Sequence, residues 1–568
     1  MMPGFQPKLT CWLFLMLLMG ACQSPAPRSG ERGDTAQGAA GPRGTIKIGW
    51  ALEPENLNPK MITGSGVGEF MWVFNSFLTY YDFQGNSHPM LAATVPSRDR
   101  GDWVVNPDGT MVTIYRLRPN ARWHDGAPIT AQDFVFAYQV YMDADQPIIH
   151  REPEPLMASV EAADDHTLVV RWKGPYVRAN QLGYRELNPL PRHLLEEKYR
   201  TNRANFTMGE EWTSAFVGSG PFRVEQWNRG TNMIARANPD WALGPPKVAT
   251  LDIRFVTDNS ALLANLLSGE IDMTSSPGVR ASEAVVARDQ WVARGEGYLL
   301  TWATRLAFMD FQFREVTGWN RAITDLRVRQ GLLHAIDRPN LAEAVTLGLA
   351  GPADVFMAPT DAFFPDVGRS IRKYPYDPAR AQALFAEAGW RPQAGGLLAG
   401  PGGQTLDMDV MTSAGQERPA TIVADNWKSV GVSSSLSILA AARERDREYR
   451  ASFPGAQLNG RSISMDNFHF VSAQIPRPET GYVELNRGSF FDPEVDRLHA
   501  LAMTSLDEPD RNRALVQLLT RMSELAAYAP LHYQTEVILA KHRVRGPIGN
   551  YGPQIGNSWN VHEWEVTD

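Results

Sequence analysis

Residues able to do covalent, acid–base or metal chemistry are present in this chain but are not spaced for it. The two cysteines, Cys11 and Cys22, both fall within the first 22 residues, so the rest of the chain can hold neither a disulfide nor a thiolate metal site. The eleven histidines are scattered, with no His-Glu-x-x-His run to put two imidazoles on one helix face and no close pair. No Gly-x-Ser-x-Gly turn presents a serine as nucleophile. The acidic pairs Asp164-Asp165 and Asp507-Glu508 lie in polar, turn-like contexts where solvation accounts for their charge. Gly218-Ser219-Gly220-Pro221 could cradle a phosphate only if a Lys-Ser/Thr pair and a helix start followed, and neither does. No catalytic residue, metal or cofactor is therefore expected. The remaining capacity is for binding, through a body that holds fifteen of the sixteen tryptophans.

One thiol has a chemistry of its own. Lys8 supplies a positive charge ahead of an apolar run from Leu9 to Ala21, thirteen residues long. That is well short of the roughly 20 that span a bilayer, so residues 1–21 read as a signal peptide. Met19-Gly20-Ala21-Cys22 looks like a bacterial lipobox, which would make an acylated Cys22 the mature N-terminus; the alternative is a plain secretory signal cleaved near Ala21. The stretch from Gln23 to Arg43 is rich in Ser, Pro, Ala, Gly and charge and cannot bury enough apolar area to fold, so residues 22–43 read as lipid-bearing cysteine and tether. Several acyl chains would suffice for stable anchoring. The 568-residue length and 43% hydrophobic content allow large cores and several domain-sized units. A net charge of −8 and a pI near 5.8 argue against nucleic acid as partner.

The elements that would position a binding site are well specified locally. Met111 to Leu117 alternates in the manner of a strand, Asp125-Gly126 supplies a turn, and Pro128 keeps Ala127 extended. Thr130 is a natural N-cap with Asp133 in the capping-box position, before the apolar stripe of Phe134, Val135, Tyr138 and Val140. Thr45 to Trp50 is a second alternating strand. Pro221 after two close glycines marks entry to an edge strand. Leu251 to Val256 and Thr405 to Met411 read as strands, and Asn259 to Leu267 as a helix stopped by Gly269. Leu326, Leu333, Ile336 and Leu341 form a helical core stripe, with Arg327, Arg329 and Asp337 solvated or internally paired.

The wording of these segments carries a resemblance. The run from Tyr115 to Phe134, the block Gly218-Ser219-Gly220-Pro221-Phe222, the ending Gly269-Glu270-Ile271-Asp272, the helix from Asp325 to Arg338 and the cap Asp492-Pro493 occur in an order similar to that of bacterial solute-binding proteins of family 5, the receptors of oligopeptide and dipeptide ABC importers. The likeness runs over about residues 44–568. It implies an α/β, bilobed type II binding-protein fold with an extra inserted domain: lobe I from 44–74, 205–300 and 535–568, the inserted domain 75–204, and lobe II 301–534.

It further implies a non-enzymatic receptor, expected to be monomeric. It would capture a peptide-like solute between its lobes and deliver it to an ABC permease and ATPase complex, exported and lipid-anchored at the periplasmic or cell-surface side. The same fold also serves nickel chelates, oligosaccharides and other solutes; an exported hydrolase or chaperone is a third reading. Relatives carry a Trp-x-x-Asp-Tyr-x-x-Pro stretch whose acid holds the ligand's amino group, whereas this chain reads Arg461-Ser462-Ile463-Ser464-Met465-Asp466. The resemblance offers Asp466 as that anchor, Trp302 and Arg305 as contacts where the chain enters lobe II, and the loop around Ser65 on the opposing lobe.

Overall fold

The computed structural model describes residues 41–60, 68–148, 151–275, 277–549 and 556–567. Cys22 and Ser65 lie outside them. The chain opens with β1 (Arg43–Trp50), whose Ile46, Ile48 and Trp50 point into a core, and then helix α1 (Gly68–Phe74), buried on every side. A hairpin of β2 (Thr79–Tyr81) and β3 (Ser87–Pro89) follows. Next come β4 (Trp103–Val105), β5 (Met111–Arg116), β6 (Met157–Asp164) and β7 (Thr167–Trp172), which make a four-stranded antiparallel sheet covered by helix α2 (Ala131–Met142). The expected alternation in β5 holds, with Met111, Thr113 and Tyr115 inward. Asp133 accepts from the Thr130 N–H at 2.7 Å and from the Arg192 N–H at 3.0 Å, so the helix start also fixes a distant segment.

The strands β8 (Phe222–Asn228), β9 (Asn232–Ala237), β10 (Val248–Phe255), β11 (Met273–Thr274), β12 (Gly297–Phe311), β15 (Val410–Ser413), β16 (Leu436–Leu439), β17 (Ala456–Ser462) and β18 (Tyr528–Lys541) join β1 in one ten-stranded sheet. A separate small pair, β13 (Arg391–Pro392) and β14 (Leu398–Ala399), stands between them in sequence. The sheet order is β16-β15-β17-β12-β18-β11-β1-β10-β9-β8. β8 is an edge strand, as Pro221 predicts.

Two strands carry the sheet from one body to the other. β12 has 15 residues and β18 has 14, long enough to run about 50 Å at strand rise. Their antiparallel register shifts between Ala303/Thr535 and Arg305/Gln534. On one side of that bulge β12 is flanked by β17, which pairs only with Arg305–Phe311; on the other, β18 meets β11 at Ala540. A bulge in the two strands that cross, among the described residues, is where a sheet bends most easily. The cores are separate too: Met309, Phe311 and Leu332 belong to one cluster, and Ile48, Leu251 and Ile538 to another.

Two expectations shift. The strand expected over Thr405–Met411 forms at Val410–Ser413, with only isolated bridges at Thr405 and Asp407. The stripe from Leu326 to Leu341 is split between helices Leu326–His334 and Arg338–Thr346, because the Asp337 carboxylate accepts from the Asn340 N–H and starts a new helix with Pro339 in its first turn. Arg329 is internally paired, its guanidinium donating to the carbonyls of Ile323 and Leu525.

Candidate ligand cleft

The two strongest motif blocks meet, and what they build is a joint. His124 N–H donates to Gly218 O at 2.8 Å, and Gly218 N–H donates to His124 Nδ1 at 3.2 Å. With Nδ1 accepting, Nε2 carries the proton and donates to Gly220 O at 3.1 Å. Burial holds this imidazole neutral, its pKa lowered to about 3. Ser219 and Gly220 N–H both donate to Phe74 O, and Ser76 exchanges two bonds with Ser219. Gly218-Ser219-Gly220 therefore holds the end of α1 rather than a phosphate.

A cavity of about 340 Å³ is present, at the small end of the range for ligand sites. One wall comes from Tyr81 and the Val177–Gln181 loop, the other from Phe356, Asp361 and Met465. Phe363 N–H donates to Asp361, and burial pushes this carboxyl above its ordinary value. Apolar side chains such as Phe356 and Ile463 share these walls with Arg178, Gln181, Asp361, Glu508, Arg511 and Asn512, so the cavity offers apolar surface together with charge of both signs. Asp361 and Arg178 escaped the sequence reading: nothing in the wording around them sets them apart from surface loops, and only the packing of two distant segments makes them neighbours of one space.

The expected contacts fall unevenly. Trp302 lies on the hinge strand, 8% exposed within the cluster of Ile48 and Ile538. Arg305 donates to Gln534 Oε1 at 3.2 Å and Gly460 O at 2.6 Å, stapling β12 to both neighbours at the bulge. The backbone of Asp466 sits in the turn Met465–Asn467, next to a cavity residue; its side chain, like Ser65, lies outside the described part.

Close to the hinge, Glu69 at the start of α1 is buried and accepts from the N–H groups of Asn557 (2.7 Å) and Ser558 (2.8 Å). The Ser558 hydroxyl lies 2.7 Å from Glu69 O and 2.6 Å from its Oε2. One hydroxyl proton cannot serve both, whereas a protonated carboxyl closes the pair by donating to Ser558. Burial outweighs these donors and raises the Glu69 pKa from 4.5 to about 7, with the charge of Glu536 on β18 adding to the rise. A carboxyl raised on folding stabilises fully below its unfolded pKa, and that contribution is lost as pH climbs through the folded one. The gap between 4.5 and about 7 corresponds to about 3 kcal/mol. We expect urea stability to fall between about pH 5 and pH 8 and the Glu69→Gln variant to show a flatter profile by that order; parallel profiles would mean that Glu69 is ionised throughout.

Comparison with known proteins places this geometry. The family described as bacterial extracellular solute-binding proteins, family 5, middle region, matches residues 93–473. The chain is 24% identical over 571 residues to the oligopeptide-binding protein AppA of Bacillus subtilis (strain 168), covering 98% of this chain and 97% of that one. The structure of AppA in complex with a nonapeptide superposes with a TM-score of 0.66 at 22% identity, covering 93% and 100%. NikZ from Campylobacter jejuni in complex with Ni(L-His) gives 0.69 at 20% identity, covering 92% and 99%.

Proposed function

Because the chain belongs to the bacterial extracellular solute-binding proteins of family 5, with their bilobed type II fold, we propose that it is the substrate-binding receptor of an ABC importer and captures a peptide-like solute without transforming it. Two observations support this reading: a cavity walled by residues of 75–204 on one side and of 301–534 on the other, and a sheet that, among the described residues, β12 and β18 carry from one core to the other. In this reading lobe I comprises 44–74, 205–300 and 535–568, the inserted domain 75–204, and lobe II 301–534. The bodies rock about the bulge at Ala303/Arg305. Closure removes bulk water, so hydrogen bonds to the solute backbone strengthen. The residues assigned to solute contact in this reading are Asp466, Arg305, Trp302 and Ser65. An acylated Cys22 holds the exported, monomeric receptor at the membrane, where it hands its solute to a permease and ATPase.

The name of the AppA relative supports peptide over metal chelate, since that likeness is read in the sequence over nearly both whole chains, whereas the equally long likeness to NikZ is one of fold at 20% identity. Titration of the purified protein with mixed peptides is expected to change tryptophan fluorescence and to stabilise the fold, by about 2.7 kcal/mol at a hundredfold excess over Kd. No response to peptides, together with a nickel chelate or oligosaccharide found by mass spectrometry of the natively purified protein, would move the assignment to a non-peptide solute.

A further inference from the structure

Two acids and two bases line the cavity, and they are not equally served. Arg178 Nη2 donates to the Tyr176 hydroxyl at 3.3 Å, with its guanidinium 5.8 Å from that ring's centroid, and Arg511 Nη1 donates to Ser505 O at 3.2 Å. Both bases thus have acceptors within their own segments. The acids have less. Among the described residues the Asp361 carboxylate accepts one bond, from the Phe363 N–H at 2.9 Å, the Glu508 carboxylate accepts none, and neither is in an ion pair. An ionised carboxylate has room for about four donors.

Asp361 is also fixed in place. Its N–H donates to Ala358 O at 3.0 Å, and its carbonyl accepts from the Phe364 N–H at 3.0 Å, where the helix Phe364–Ser370 begins. The loop is tied on both sides of the acid without help from a cation. Desolvation opposed by the Phe363 N–H alone is what holds this carboxyl above its ordinary value. It is half-buried, so one side stays open to the cavity. Around it stand Phe356, Ile463, Met465, Met503 and Leu515, an apolar lining with two adaptable thioethers. Met465 precedes Asp466, the acid offered for the solute's amino group, so Asp361 is a second acid on a separate segment.

We propose that the cavity is a subsite for a cationic group on an apolar stem, such as a lysine side chain of the captured solute, with Asp361 as the acceptor and Glu508 as a second acid on the same wall. The stem lies along the apolar lining while the ammonium supplies the donors that Asp361 lacks. The inference rests on the solute-binding reading, and its test tells the failure of one from the failure of the other.

The test compares the protein with Asp361→Asn, which keeps an acceptor for the Phe363 N–H. The probes are alanine tripeptides carrying lysine or norleucine at each position in turn; norleucine keeps the stem and lacks the ammonium. At one position at least, the lysine peptide is expected to bind about 10- to 100-fold tighter than its norleucine twin, a ratio that falls to within about threefold in the variant. Norleucine peptides are expected to bind both proteins alike. Peptide binding with no preference for lysine, or with a preference that Asp361→Asn retains, overturns the subsite and leaves the solute-binding reading standing. If no peptide binds, the peptide reading fails, and thermal unfolding with butylamine against butanol decides. Stabilisation by the amine that Asp361→Asn loses then upholds the subsite, and its absence overturns it. Should Asp361→Asn misfold, Asn512→Lys takes its place, since it offers the acid a cation from one helical turn beyond Glu508. That variant is expected to erase the lysine preference, and a preserved preference overturns the proposal.

Discussion

Gly220→Ala is expected to destabilise the protein by about 3–5 kcal/mol and to collapse its soluble yield. A Cβ at Gly220 would overlap Phe74 C and sit 2.5 Å from Asn75 N and 2.7 Å from Val73 O. All three are backbone atoms at the end of a helix buried on every side, so no side chain can swing away. Moving the backbone would break the bonds of Ser219 and Gly220 N–H to Phe74 O and disturb the His124 bond to Gly220 O. Gly126→Ala in the other motif block is the control. Gly126 adopts φ +91°, and a methyl added there would meet nothing within 4 Å, so its cost is the left-handed backbone alone, about 1–2 kcal/mol. Denaturant midpoints of the two variants check the order; comparable losses would show that the Phe74 contact yields.

The second large effect is expected at Lys60. Its ammonium lies 2.8 Å from Glu154 Oε1, with side chains 1% and 0% exposed. It also donates to Arg185 O and sits 5.2 Å from the Tyr141 ring centroid. This buried ion pair ties the loop after β1 to the segment before β6. Lys60→Met strands a carboxylate in the interior and is expected to cost about 3–5 kcal/mol, whereas Lys60→Met/Glu154→Leu is expected to recover most of that, because it removes both desolvated charges. A double-mutant cycle read from denaturant midpoints measures the coupling. A near-zero coupling energy would mean that water reaches Glu154 in solution. Neither residue stood out in the sequence, since a lysine after Pro59 and an acid before Pro155 read as ordinary surface loops.

Much of the local structure was legible because its causes are local. Thr130 and Asp133 cap a helix, Gly269 stops one, and the alternation of β5 orients its own side chains. The same locality explains the misplaced strand at Thr405–Met411: its β propensity is satisfied only where β16 and β17 supply partners for Val410 and Met411. The family likeness reached the fold, because a fold survives in the order of its caps, turns and strands.

The site is another matter. That Gly218-Ser219-Gly220 serves as a joint, that Arg305 staples the hinge, and that Asp361 faces one cavity with Tyr81 follow from contacts between segments far apart in the chain. From its order of residues alone this chain determined which stretches become strands and helices and how they begin and end, since hydrogen bonds within a few residues decide that. Only the tertiary structure decided which charges are buried together and which are left without partners, because the cost of desolvating Lys60, Glu69 or Asp361 depends on what distant segments bring against them.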